Sequence, residues 1–160
     1  MHQPLYHGKY IMRKKFIIML LFLFVISIYS QNTKSIELVE FTWIWATDTL
    51  GVINIPPDFN KANWHYGEGL VTTLTYDDSS YILLHLGGNM QLPFLDEPDY
   101  KVLYKKEYDN KTVRKGKVDK NLFWCEYSFI NMTNIAYSKV SDEKIELYNK
   151  SLDSFIFLRH

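Results

Sequence analysis

The chain has 160 residues and 18 Lys plus Arg against 18 Asp plus Glu, so it lacks the basic excess that argues for a nucleic-acid partner. One Cys rules out an internal disulfide, and the fold must stand on its apolar core alone. Aromatics make up 16% of the chain, and with Thr, Val and Ile they favour strands over helices.

Arg13-Lys14-Lys15 precede an apolar run, Phe16 to Ile28, interrupted only by Ser27 and closing on Tyr29-Ser30-Gln31. This is the order of a secretory signal peptide: a charged start, an apolar middle and a small residue at the cut. The run is shorter than the roughly 20 apolar residues needed to span a bilayer. Read from Met12, the signal spans residues 12–30, with cleavage near Ser30-Gln31, and residues 1–11 are a mis-assigned extension. A single α+β domain over residues 31–160 is expected to work in the periplasm or outside the cell, meeting the membrane only in transit. Removing Lys9, Arg13, Lys14 and Lys15 leaves the remainder net acidic.

Short strands are then predicted in succession. Ile36 to Trp45 alternates, with Val39, Phe41, Trp43 and Trp45 on one face. Val52 to Ile55 ends at Pro56-Pro57, because proline cannot donate to a ladder. Asp58 to Gly69 reads as irregular. Leu70 to Tyr76 and Tyr81 to Leu86 form a hairpin across Asp77-Asp78-Ser79-Ser80. The second of these strands is apolar on both faces, as expected at the centre of a sheet. Residues 90–95 make an unusually apolar connection. Two further hairpins pair Tyr100–Tyr108 with Thr112–Val118, and Leu122–Ile130 with Asn134–Val140.

The period changes after Ser141. Asp142-Glu143 favour a helix start, and Ile145, Tyr148, Leu152 and Phe155 recur at helical spacing. Phe155 to Leu158 reads as a final short strand. The predicted fold is therefore α+β: an antiparallel sheet of about seven to eight hairpin-linked strands, with one C-terminal amphipathic helix packed on it.

The early strand, Val52-Ile53-Asn54-Ile55-Pro56-Pro57, the hairpin around Tyr76-Asp77-Asp78-Ser79 and the closing helix from Ser141 to Ser154 follow one another in a specific order. In that layout the chain resembles small uncharacterised secreted proteins of Gram-negative bacteria and is loosely similar to the PsbP/Mog1-like fold. The resemblance implies a binding or assembly module and supplies no active-site residue.

Chemistry-bearing residues fall into three sets. His65, Glu68 and His85 would form a catalytic or metal site, and so a small hydrolase, if they converged on one cleft. Their spacing matches no recognised ligand pattern, and no cofactor motif is present. Lys101 to Lys120 is strongly basic, and Lys105, Lys106, Arg114, Lys115 and Lys117 form a candidate docking surface for an acidic protein or an anionic polymer. The same lysines would equally guard an exposed edge strand. Trp64 and Tyr66 are candidate ligand-stacking residues. Asp77-Asp78 is explained by the hairpin turn, since calcium needs more oxygen ligands. Cys125 alternates onto a face with Phe123, Tyr127 and Phe129, as a small buried hydrophobe would.

Overall fold

In the computed structural model of the protein, which describes residues 37–45, 48–66, 69–87 and 100–158, strand periodicity dominates. The strands are β1 (Val39–Trp45), β2 (Asp48–Ile55), β3 (Asn60–Tyr66), β4 (Gly69–Thr75), β5 (Tyr81–Leu86), β6 (Lys101–Glu107), β7 (Lys111–Asp119), β8 (Leu122–Phe129) and β9 (Thr133–Ser141). A 3-10 turn (Asp142–Lys144), the helix α1 (Ile145–Asp153) and a two-residue strand β10 (Ile156–Phe157) close the order. The signal-like segment and the apolar connection at 90–95 lie outside the described residues.

Two antiparallel sheets result. One has the order β1-β2-β10, the other β3-β4-β5-β9-β8-β7-β6. The chain is thus an antiparallel α+β fold. β5 and β9 occupy the middle of the large sheet, which is why β5 tolerates apolar side chains on both faces.

Register assigns every side chain to a face. Leu70, Thr72 and Leu74 pair with Leu86, Leu84 and Ile82, and Leu84 and Ile82 pair in turn with Ile135 and Tyr137. This face carries the main core, shared with Trp43, Leu50, Ile53 and Ile55 of the small sheet and with Tyr148 and Leu152 of α1. The indole N–H of Trp43 donates to Thr72 Oγ1 at 3.0 Å, satisfying the core's largest polar group. A smaller cluster of Val71, Leu83 and Ala136 lies on the opposite face.

The nine-residue α1 is too short to persist alone. It is held by burying Tyr148 and Leu152, each worth roughly 1.5–3 kcal/mol. Tyr148 meets Tyr76 and Tyr137 edge-on, with ring centroids 5.7 and 5.6 Å away, and its hydroxyl is 2.7 Å from Ser80 Oγ. Ser141 precedes the 3-10 turn in extended conformation, but its side chain makes no cap hydrogen bond.

Two features depart from simple alternation. Residues 60–66, expected to be irregular, are strand β3, paired along their whole length with β4. The side chains of residues 60–65 are exposed because β3 is an edge, so backbone pairing holds it with little apolar signal. In β9, Lys139 adopts φ 58° where the β8–β9 register shifts. The extra residue returns Val140 to the core face beside Tyr137.

Gly51 is buried where a Cβ would come within 2.8 Å of the Ile156 carbonyl, so only glycine lets β10 close against β2. Among the described residues no helix is long and apolar enough to cross a membrane.

Candidate functional site

The basic hairpin β6–β7 forms one end of the large sheet, and register divides its charges between two faces. Lys105 pairs with Arg114, Lys106 with Val113 and Tyr104 with Lys115, after an irregularity at Leu103. Val113 and Lys115 pair onward with Tyr127 and Cys125, both members of the main core. Lys106, Lys111, Lys115 and Lys117 therefore share the helix-bearing face, while Lys105 and Arg114 lie on the other.

Arg114 is engaged within the protein. Its Nη2 is 2.6 Å from Oε2 of Glu126, a side chain only 1% exposed. Burial pushes the Glu126 carboxyl above its usual range, and the guanidinium offsets only part of this. Arg114 is the counter-charge of a buried acid.

On the helix-bearing face the hairpin opens into a cleft of about 390 Å³. Tyr104 and Tyr108 form its outer wall, Lys111, Val113 and Lys115 its middle, and Tyr127 with Asp153 the wall towards α1. The sequence folds this way because Tyr104, Lys106 and Tyr108 alternate onto one side of β6, and Lys111, Val113 and Lys115 onto the same side of β7. Tyr104 and Tyr108 remain 45% and 46% exposed, and Lys106 Nζ lies 4.8 Å from the centroid of the Tyr108 ring.

The polar groups of the cleft are pre-positioned. Tyr127 Oη donates to Asp153 Oδ1 at 2.6 Å, and burial together with this bond raises the phenol pKa. Lys111 Nζ lies 4.0 Å from the centroid of the Tyr127 ring. Lys115 Nζ reaches Asn149 Oδ1 at 3.5 Å, and Tyr137 Oη donates to the same oxygen at 3.1 Å. Two ammonium groups against one carboxylate, which Tyr127 already engages, leave the cleft net positive. Such a surface can bind anions beside an aromatic wall.

Cys125, at the inner side of this region, is fully buried, and burial pushes its thiol up to about 12. It packs as the small hydrophobe that its alternation implies.

The other candidate residues lie elsewhere. Trp64 and Tyr66 belong to β3, the opposite edge of the sheet from β6, so they do not join the basic hairpin in one site. Trp64 is partly exposed and donates to Thr73 Oγ1 at 3.3 Å.

His65 pairs with Leu70 and His85 with Val71. Adjacent residues of one strand point to opposite faces, so the two imidazoles lie on opposite sides of the sheet. The convergence that a His65–Glu68–His85 site requires does not occur between its two histidines, and Glu68 lies outside the described residues. No group of three metal-ligating side chains occurs among the described residues.

His85 is fully buried, its Nδ1 is 3.3 Å from Asn134 Nδ2, and burial lowers its pKa. It is a core histidine. Asp77-Asp78 form the turn: Asp78 Oδ1 accepts from the Ser80 amide at 3.0 Å, and Oδ2 pairs with Lys144 at 2.6 Å.

Sequence reasoning placed Lys111 and Lys115 in the basic segment but missed Tyr104, Tyr108, Tyr127 and Asp153. The alternation of Tyr104, Lys106 and Tyr108 was the available signal. Asp153 could not have been found, because only packing brings the end of α1 to the hairpin. No protein family, curated protein or solved structure matches the chain.

Proposed function

We propose that the protein is an exported binding module that holds an anionic ligand in the tyrosine–lysine cleft between β6–β7 and the end of α1. The single observation that carries this reading is the convergence of Lys111 and Lys115 with Tyr104 and Tyr108 around one concave surface. The lysines supply charge, the exposed rings supply apolar contact area, and the hydrogen bonds of Tyr127 and Asn149 stiffen the wall behind them. Export is supported by the order of Arg13–Lys15, the apolar run to Ile28 and the small residue Ser30.

The test uses two soluble anionic polymers, polygalacturonate and polyglutamate, titrated into the purified protein. Binding should weaken from about 50 to about 150 mM salt, because exposed charges are screened beyond a Debye length. The double variant Lys111→Gln/Lys115→Gln should lose about tenfold in affinity, equivalent to about 1.4 kcal/mol. Equal binding by the double variant, or none to either polymer, overturns the reading.

A further inference from the structure

We infer that the anionic partner is an extended acidic peptide segment, which adds to the sheet as a strand beside β6. This rests on the cleft reading above and specifies what occupies it.

All seven residues of β6 are exposed, although β6 belongs to a seven-stranded sheet. The hydrogen-bond phase of its inner side is set by the turn, where Tyr108 N–H donates to the Lys111 carbonyl at 2.8 Å. In an antiparallel pair such bonded positions recur every second residue. Lys106 opposite Val113 and Tyr104 opposite Lys115 therefore direct their backbone groups to β7. Lys105 and Glu107, between and beyond them, direct theirs outwards. The edge thus offers donors and acceptors with no partner strand among the described residues.

Charge selects the occupant. β6 carries Lys101, Lys105 and Lys106 against Glu107. Three lysines against one glutamate give β6 a net positive charge, so a second copy pairing edge to edge brings like charge together, which opposes self-association. An acidic strand meets Lys106 on the helix-bearing face and, on the other, Lys105, whose Nζ pairs with Glu107 Oε1 at 2.8 Å. Its side chains on the helix-bearing face project beside Tyr104 and Tyr108, towards Lys111 and Lys115. Those two lysines stand four residues apart on one face of β7, roughly 13 Å, a span that suits an extended ligand better than a single compact anion. Leu103, 64% exposed at the irregularity, and Val102, 48% exposed, add apolar contact at the same edge. Main-chain pairing gives such a complex its affinity, and the alternate side-chain contacts give it specificity.

The probe is a fluorescein-labelled synthetic peptide of alternating Glu and Val, with two analogues N-methylated at one or the other alternate set of amides. Anisotropy titrations should show binding by the parent, loss of at least about tenfold for one methylated set, and retention for the other. In amide hydrogen exchange, bound peptide should protect the Lys105 and Glu107 amides. Equal binding by the parent and both analogues overturns the strand-addition inference and leaves the cleft. So does binding to polygalacturonate without binding to the peptide. If neither probe binds, both readings fall.

Discussion

The 2.6 Å hydrogen bond from Tyr127 to Asp153 joins the middle of β8 to the last residue of α1 and forms the inner wall of the cleft. It couples a core residue to a surface carboxylate, so the cleft depends on helix docking. Tyr127→Phe removes the donor and leaves the ring in place. A loss of about 1 kcal/mol in stability is expected from urea unfolding, together with weaker anionic binding, because Asp153 then faces the lysines without its phenol partner. An unchanged unfolding midpoint would show that the bond does not hold the helix end.

Arg114 and Glu126 should behave as a unit. Arg114→Met strands a buried carboxylate and is expected to cost about 3 kcal/mol, whereas Arg114→Met/Glu126→Met should recover most of that loss. The double variant should also keep its affinity for polygalacturonate, since Arg114 lies on the face away from the cleft. Loss of that affinity in a stable double variant would return Arg114 to the binding surface.

Cys125 should be silent in the folded protein. With its thiol raised to about 12 against an ordinary value near 8.5, the thiolate fraction falls by a factor on the order of a thousand. A disulfide reagent at mildly alkaline pH should therefore modify the native chain only through opening, and the urea-unfolded chain at once. Fast native modification would contradict the burial.

His85 sets an acid-side limit on stability. Burial lowers its folded pKa below the ordinary 6.5, so the unfolded chain binds the extra proton. The stability associated with neutral His85 is fully present above pH 6.5 and is lost as pH falls through the lowered folded value. Glu126 acts in the opposite sense, since its raised pKa favours the folded state at low pH and disfavours it as pH rises through that value. The difference between wild type and His85→Gln isolates the histidine: the variant should lose less stability between about pH 7 and about pH 5. Parallel pH profiles would refute the assignment.

Gly116 controls the start of β6. A Cβ there would overlap the Lys101 carbonyl and come within 2.5 Å of the Trp124 indole nitrogen. Gly116→Ala should destabilise the domain by about 1–3 kcal/mol and loosen the first residues of β6, measurable as faster amide exchange at Lys101 and Val102. Unaltered exchange would mean that Trp124 alone absorbs the change.

Hairpins were legible because polar turn residues separate alternating runs, as at Asp77 to Ser80 and at Asp109-Asn110. The helix was legible from Ile145, Tyr148 and Leu152, although its first turn tightened to 3-10. β3 was not, because an exposed edge strand is held by backbone bonds that its side chains do not announce. The candidate histidines failed for a related reason: the assignment of His65 and His85 to opposite faces depends on the register of β4 with both neighbours.

By itself the sequence determined the α+β class, most strand positions, the buried place of Cys125 and a basic segment from Lys101 to Lys120. These follow from local periodicity and turn chemistry, which each short segment carries within itself. Tertiary structure alone decided which lysines are usable. Pairing register turned Arg114 inwards to Glu126, kept Lys111 and Lys115 beside Tyr104 and Tyr108, and brought Asp153 from a distant helix to complete the wall. A one-residue difference in register exchanges the faces of a strand, and no composition or local pattern records it.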